Sequence, residues 1–125
     1  MKRALFLMPA VLLLATVAPA MAQDPVKVDS THYKLEFEND QVRVLRIKYG
    51  PHEKSVMHEH PDTVAIFLTD GHGKFNLPDG TSQDAPFKAH TVQWTPAGKH
   101  LPENVGDTPF ELVLVETKGK AATAK

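Results

Sequence analysis

Apolar and polar residues alternate along most of the chain with the period of two that a half-buried β-strand requires. In HYKLEFEND, Tyr33, Leu35 and Phe37 alternate with charged residues, which predicts a strand with one buried face. The next segment, VRVLRIKYG, also alternates, but its apolar positions change phase at Val44–Leu45, which predicts a β-bulge there. No segment after residue 22 shows a convincing helical period, so the pattern favours strands throughout.

Shorter apolar segments follow, and turn residues separate them. These segments are VMHEH, TVAIFLT, KFNL, TSQ, TVQW and FELVLVETK. The tripeptide PDG between KFNL and TSQ indicates a tight turn, and Pro96 and Gly98 set a loop after TVQW. Short strands spaced by about 8 to 12 residues are typical of small sandwiches and barrels. We therefore predict an all-β fold, a small antiparallel β-barrel or jelly roll.

The last predicted strand, FELVLVETK, is apolar on both faces. Such a strand lies either at the centre of a sheet or in a barrel whose outer surface is covered by a second chain. A homodimer is therefore among the expected partners. We expect the aromatic residues Phe67, Phe75, Trp94 and Phe110 in the core and the barrel lining. Those that face a cavity would make a substrate region apolar.

The first 22 residues have the pattern of a secretory signal peptide. Lys2 and Arg3 precede an apolar stretch from Ala4 to Ala18, and the segment closes on Ala20-Met21-Ala22. The apolar stretch is shorter than the ~20 residues that span a bilayer, so cleavage after Ala22 is favoured over an uncleaved anchor. Cleavage predicts a periplasmic or secreted protein without a membrane segment. The chain lacks a twin-arginine pair, which favours export in the unfolded state.

The patterns divide the chain into four parts. They are a signal peptide (1–22), a polar lead-in (23–32), a β-barrel (33–117) and a small-residue tail (118–125) that is expected to be disordered. The length after cleavage suits one hydrophobic core and not two. The formal net charge is −1, and removal of Lys2 and Arg3 makes the chain more acidic. Without a basic patch, nucleic acid is not an expected partner.

The seven histidines are the main source of candidate chemistry, because the chain contains no cysteine. Any metal site must therefore use histidine, carboxylate or methionine ligands. Only His58 and His60 have the spacing of a ligand pair. In a strand, residues i and i+2 point to the same face, so the two rings would project together and could share a divalent ion. The alternative is two solvent-facing histidines on an edge strand.

A third ligand must come from another segment, and His100 is the best candidate because it follows a Pro-x-Gly turn. Carboxylates could complete the ligand shell, and the candidates are Glu53, Asp62, Glu103 and Glu116. Each is otherwise a solvated surface acid. Glu116 differs from the others because it lies in an apolar strand. It could pair with Arg43, Arg46 or a lysine, or accept a hydrogen bond from a ligand imidazole.

Two segments resemble the two sequence motifs of the cupin superfamily. The first motif has a glycine, His-x-His, a glutamate and a second glycine, and the second has Pro-x-Gly followed by a histidine and an asparagine. The matching residues are Gly50, His58, His60 and Gly71 for the first motif, and Pro96, Gly98, His100 and Asn104 for the second. The resemblance covers roughly residues 33 to 117 and implies a small single-domain cupin.

The resemblance implies that His58, His60 and His100 are metal ligands and that Asn104 is a structural turn residue. Val64 occupies the place of the family glutamate, so the resemblance implies no carboxylate ligand there. Three imidazoles would leave a divalent ion its full charge and open coordination positions, and they suit Zn, Fe, Cu, Ni or Mn. Some cupins with all-histidine iron sites, the thiol dioxygenases and a diketone-cleaving enzyme, bind substrate and O2.

Three functions remain open on this basis. The first is an exported enzyme that uses a divalent transition metal to act on a small molecule, as a dioxygenase-like oxygenase, an isomerase or a lyase. The second is a non-catalytic barrel that binds a metal or a small ligand. The third is a metal-free barrel whose histidines have lost their role. A fold alone does not decide between them.

Overall fold

The computed structural model describes residues 23–119. The predicted signal peptide and residues 120–125 of the predicted tail lie outside the described residues. The described part consists of α1 (Pro25–Val28), β1 (Tyr33–Glu38), β2 (Val42–Tyr49), β3 (His58–His60), β4 (Thr63–Phe67), β5 (Gly71–Asn76), β6 (Ser82–Phe87), β7 (Val92–Thr95), β8 (Gly98–Asn104) and β9 (Phe110–Thr117). Between residues 23 and 119, no helix has the length and apolar character needed to cross a bilayer.

The strands form two antiparallel sheets with the core between them. The larger sheet has the order β1-β2-β9-β4-β7 and the smaller has the order β3-β8-β5-β6. The buried core residues are Tyr33, Leu45, Ile47, Tyr49, Ala65, Phe67, Phe110, Leu112 and Leu114, and Phe87 of β6 packs against them from the smaller sheet. All of the buried members come from the inner face of the larger sheet, as period-two alternation requires. The predicted all-β barrel is confirmed.

The central position of β9 explains why this strand is apolar on both faces. It lies between β2 and β4, with alternate residues buried against the core and half-buried on the outer face. The outer face also carries Trp94, which is 55% exposed and therefore not in the core as expected, and Val92, which is 66% exposed. A second copy of the chain would cover this face, and the homodimer stays a prediction.

The β-bulge lies in β1, so its prediction in β2 was wrong. Leu35 pairs with Leu45 and Phe37 pairs with Val44, which leaves Glu36 as the extra residue. β2 itself pairs with β9 without interruption. The change of phase in β2 arises because Val44 is a half-buried apolar residue of the outer face, whereas Leu45 is fully buried in the core.

The lead-in contains a short helix that the sequence pattern did not reveal. The Asp24 carboxylate accepts a hydrogen bond of 3.0 Å from the backbone N–H of Val26, and Pro25 occupies the first helical turn. Both are favourable at a helix start. Four residues are too few to show a helical period, so Asp24-Pro25 was the available signal. The backbone N–H of Glu59 donates to the carbonyl of Gln23 at 3.0 Å, which ties the lead-in to β3.

Candidate metal centre

Pairing between β3 and β8 brings the three candidate histidines together. His58 lies directly opposite His100 in this antiparallel pair, and His60 follows two residues later on the same face. His58 and His60 are 1% and 4% exposed, and His100 is half-buried. The pair in β3 therefore does not face solvent. One nitrogen from each of the three rings lies within 4.8 Å of the others.

The nitrogens of His58 and His60 are close enough to share one ion. Their Nε2 atoms are 3.0 Å apart, and the ring of His100 has its centroid 5.0 Å from that of His58 and 5.2 Å from that of His60. Histidine nitrogens bind a transition metal at about 2.0–2.1 Å, so two nitrogens at this separation can both reach the same ion.

Hydrogen bonds fix the tautomers of both β3 rings. Nδ1 of His58 donates to the backbone carbonyl of Val56 at 2.8 Å, and Nδ1 of His60 donates to the carboxylate of Glu116 at 2.6 Å. When both rings are neutral, each carries only one N–H, and each Nε2 then presents a lone pair. Two lone pairs that face each other at 3.0 Å repel unless a proton or a metal cation lies between them.

Nε2 of His100 provides independent support for a metal site. Its Nε2 is buried and has no hydrogen-bond partner among residues 23–119. Its ring stacks on Phe75, with the centroids 4.7 Å apart and the planes at 2°. Buried polar atoms nearly always have a partner, because an unsatisfied one is costly. An orphan nitrogen beside two imidazole nitrogens that are 3.0 Å apart fits a site for a metal ion.

Burial also keeps two of the rings in the form that binds metal. It lowers the pKa of His58 to about 4, with a further contribution from the neighbouring His60. It lowers the pKa of His100 to about 3, with further contributions from His60 and His58. Both rings are therefore neutral near pH 7, as imidazole ligands must be.

Glu116 connects the centre to the larger sheet. Its carboxylate is 2% exposed; Oε1 accepts from His60, and Oε2 lies 3.7 Å from Nε of Arg43. A carboxylate behind a ligand imidazole fixes the orientation of the ring and raises its basicity. The sequence left two roles open for Glu116, an ion pair with Arg43 and a hydrogen bond to a ligand ring, and the structure contains both contacts.

Comparison with solved structures identifies the architecture. A cupin domain from Bordetella pertussis Tohama I is 26% identical to this chain, covers 70% of it and 92% of its own length, and has a TM-score of 0.65. The chain folds as a cupin. No protein-family model matches the chain, and no curated protein matches it either.

Two more distant structures share the cupin fold alone. A protein with a double-stranded β-helix domain from Klebsiella pneumoniae is 22% identical, with a TM-score of 0.56 and coverage of 72% of this chain and 78% of that one. An RmlC-like cupin from Methanocaldococcus jannaschii is 16% identical, with a TM-score of 0.56 and coverage of 68% and 77%. The fold expected from the two motifs is thus confirmed.

The position of the cupin glutamate does not face the histidines in this chain. Val64 is half-buried and pairs with the exposed Trp94 on the outer face, whereas the preceding Thr63 is buried. The carboxylate that reaches the histidines comes from Glu116 of β9, the residue that pairs with Thr63. Spacing along the chain locates a motif position, but it does not reveal which face of the strand that position occupies.

The other candidate carboxylates do not join the three-histidine group. Asp62 is exposed beyond the bend that follows β3 and accepts a hydrogen bond of 2.8 Å from a backbone N–H of the loop before β8. Glu103 lies 3.4 Å from the ammonium of Lys74. Glu53 accepts from Nε2 of His32 at 2.7 Å. Each of these carboxylates therefore has a partner of its own away from the centre.

A cavity of about 670 Å³ opens beside His60 and His100. Its walls are mainly apolar, and the large residues include Phe67, Phe75, Phe87, Phe110, Leu112 and Leu114. Tyr33 also lines the cavity, and its hydroxyl shares a hydrogen bond of 2.8 Å with that of Tyr49. A concave, mostly apolar site with a few convergent polar groups is typical of small-molecule binding.

The residues that support His58 carry no sequence motif. Ser55 is 8% exposed; its hydroxyl donates to Asp29 and lies 3.5 Å from Nδ1 of His58. Tyr33 packs edge-on against the same ring, with the centroids 4.8 Å apart. The alternation in β1 placed Tyr33 on a buried face, but nothing in the sequence indicated which ring it would meet.

Proposed function

We propose that this cupin binds one divalent transition-metal ion through His58, His60 and His100 and acts on a small apolar molecule in the adjacent cavity. One observation carries the proposal: Nε2 of His58 lies 3.0 Å from Nε2 of His60, and the buried Nε2 of the third ring has no described partner. An all-nitrogen donor set suits Zn, Fe, Cu, Ni or Mn, whereas magnesium and calcium prefer oxygen ligands.

The residues that line the cavity would each make a different contribution to binding the substrate. When bound, the metal would supply a Lewis acid that polarises a substrate oxygen and lowers the pKa of bound water. His60 and His100 line the cavity, so substrate would approach the centre from their side. The phenylalanine and leucine side chains exclude water and favour a substrate with an apolar body. Burial raises the pKa of Tyr33 well above its ordinary value, so its hydroxyl stays a neutral hydrogen-bonding group.

The reaction class that fits this arrangement is a metal-dependent oxygenase, isomerase or lyase. All three classes need a metal with vacant coordination positions, and three neutral ligands leave such positions. We place the activity outside the cytoplasm, because the first 22 residues have the pattern of a signal peptide.

Metal content provides the first test. We expect protein purified without added metal to hold about one equivalent of a transition metal by elemental analysis, and the His58→Ala/His60→Ala variant to hold almost none. His72→Ala is a matched control, because His72 is an exposed histidine of β5 that pairs with Asp84. A wild-type metal content far below one equivalent, with a Tm that ignores chelators, would support a metal-free barrel and overturn the proposal.

A non-catalytic metal-binding barrel is the second candidate, and one observation favours it. Glu116 and Tyr33, which pack against the histidines, are both engaged: Glu116 with His60 and Arg43, and Tyr33 with Tyr49. Neither is free to act as a general base. Oxygen uptake and product formation by the metal-loaded protein, measured with a panel of thiols, diketones and phenols, separate the two candidates. Ligand binding that raises Tm without turnover would favour the second.

A further inference from the structure

The lead-in is connected to His60 through a chain of charged side chains. Both oxygens of the Asp24 carboxylate accept from the guanidinium of Arg43, at 3.1 and 3.2 Å. The same guanidinium lies 3.7 Å from Glu116, which in turn holds Nδ1 of His60. Asp24 therefore fixes the cation that neutralises and orients Glu116. It supplies no ligand, and two side chains, Arg43 and Glu116, connect it to His60.

The other end of the short helix reaches His58. Asp29, whose side chain is 9% exposed, accepts hydrogen bonds from the Ser55 hydroxyl and from Nδ1 of His32, the latter at 2.7 Å. Ser55 lies 3.5 Å from Nδ1 of His58 and directly precedes Val56, whose carbonyl accepts from that nitrogen. Asp29 thus anchors Ser55, the residue directly before the carbonyl that accepts from the His58 ring.

A backbone contact also ties the start of the lead-in to β3. The carbonyl of Gln23 accepts from the N–H of Glu59, the residue between the two β3 histidines. We propose that residues 23–29 form a positioning segment for the metal centre: Asp24 acts on His60 through Arg43 and Glu116, and Asp29 acts on His58 through Ser55. This inference rests on the proposed function, because it concerns the affinity of the three histidines for a metal.

The test measures metal binding in variants that keep the helix. Asp24→Asn retains an oxygen that can cap the helix but removes the charge that holds Arg43. Asp29→Asn can keep an oxygen for Ser55 and Nδ1 of His32, which share Oδ2, but it removes the negative charge and the second oxygen, which accepts from the backbone N–H of His32. We expect each change to weaken zinc binding by about threefold to tenfold, less than the ~10- to 100-fold typical of a partner in direct contact with a ligand. Zinc affinity is measured by competition with a chromophoric chelator.

Removing a carboxylate from a different arginine controls for the general effect of losing an ion pair. Arg46 lies between Glu36 and Glu111 on the larger sheet, much as Arg43 lies between Asp24 and Glu116. We expect Glu36→Gln to leave zinc affinity unchanged. Tm of the chelator-treated proteins reports folding, so all affinities are compared at a temperature where every variant is folded. The visible absorption spectrum of the cobalt-loaded proteins reports ligand geometry, and we expect it to change in the two aspartate variants alone.

The outcomes distinguish the inference from the function on which it rests. A wild-type protein that binds neither zinc nor cobalt overturns the proposed function, and the inference with it. Wild-type binding of one equivalent, with Asp24→Asn and Asp29→Asn no weaker than Glu36→Gln, overturns the inference alone. Restored affinity in Asp24→Glu, which returns the charge, supports the connection through Arg43.

Discussion

The two sides of the centre are held by different interactions. In β3, both rings are oriented by hydrogen bonds at Nδ1, His58 to the carbonyl of Val56 and His60 to Glu116. In β8, the ring of His100 is held by stacking on Phe75, and its Nε2 has no partner among the described residues. A hydrogen bond at Nδ1 determines which nitrogen faces the site, whereas stacking determines only the plane of the ring.

β3 therefore presents two imidazole rings whose orientation is already fixed, and β8 supplies the third ring. A preformed ligand loses less conformational entropy when it binds, so the β3 pair should contribute more to affinity than His100 does.

The largest expected effect is the loss of a ligand from the preformed pair. We expect His60→Ala to weaken zinc binding by more than about 100-fold, beyond the range for partners that only support a ligand. His100→Ala should weaken zinc binding by a smaller factor, because His58 and His60 remain in place. Chelator competition on both variants, with His72→Ala as control, gives the ratio of the two losses in zinc affinity. Equal losses would show that the two sides contribute alike.

Acidification of the chelator-treated protein should lower its free energy of unfolding, because two histidine rings are buried in the neutral form. Burial lowers the pKa of His58 to about 4 and that of His100 to about 3, against 6.5 for an ordinary histidine. Above pH 6.5 both the folded and the unfolded chains hold these rings neutral. Below pH 6.5 the unfolded chain binds protons that the folded chain does not, so stability falls as pH falls towards 4.

Urea unfolding at a series of pH values measures this dependence. We expect His100→Ala to flatten the loss of stability between pH 6.5 and 4, because it removes one of the two buried rings. The exposed His72 provides the control, and its replacement by alanine should leave the slope unchanged. A wild-type protein equally stable at pH 6.5 and pH 4.5 would contradict the burial of neutral rings.

Weakening the support of the β3 pair should have an intermediate effect. We expect Glu116→Gln to weaken zinc binding by about 10- to 100-fold, the usual effect of removing a partner that touches a ligand. Glu111→Gln is the matched control, since Glu111 belongs to the same strand and binds Arg46 on the outer face at 2.8 Å. Comparable losses in the two variants would mean that a general loss of charge, and not the contact with His60, is responsible.

The sequence predicts which histidines form the cluster better than it predicts the residues that pack behind them. His58 and His60 share a face because side chains alternate in strands, and His100 follows a recognisable turn, so local pattern is enough to select them. Glu116 meets His60 across 56 positions of sequence, and that contact depends on which strands pair and in what register. Alternation along one strand carries no information about the partner strand, which is why the sequence did not reveal the contact between Glu116 and His60 and placed the bulge in β2 instead of at Glu36.

The smallest expected effect comes from the stacking partner of His100. Phe75→Leu keeps an apolar side chain at the cavity wall but removes the aromatic face that fixes the plane of the ring. Aromatic pairs contribute about 0.5–1.5 kcal/mol beyond their buried area, which corresponds to about twofold to tenfold in affinity. We therefore expect zinc binding to weaken by that factor, while Phe67→Leu, at a core position away from the ring, should leave it unchanged. A loss as large as that of Glu116→Gln would show that stacking orients a ligand as firmly as a buried hydrogen bond does, and the contrast between the two sides would no longer hold.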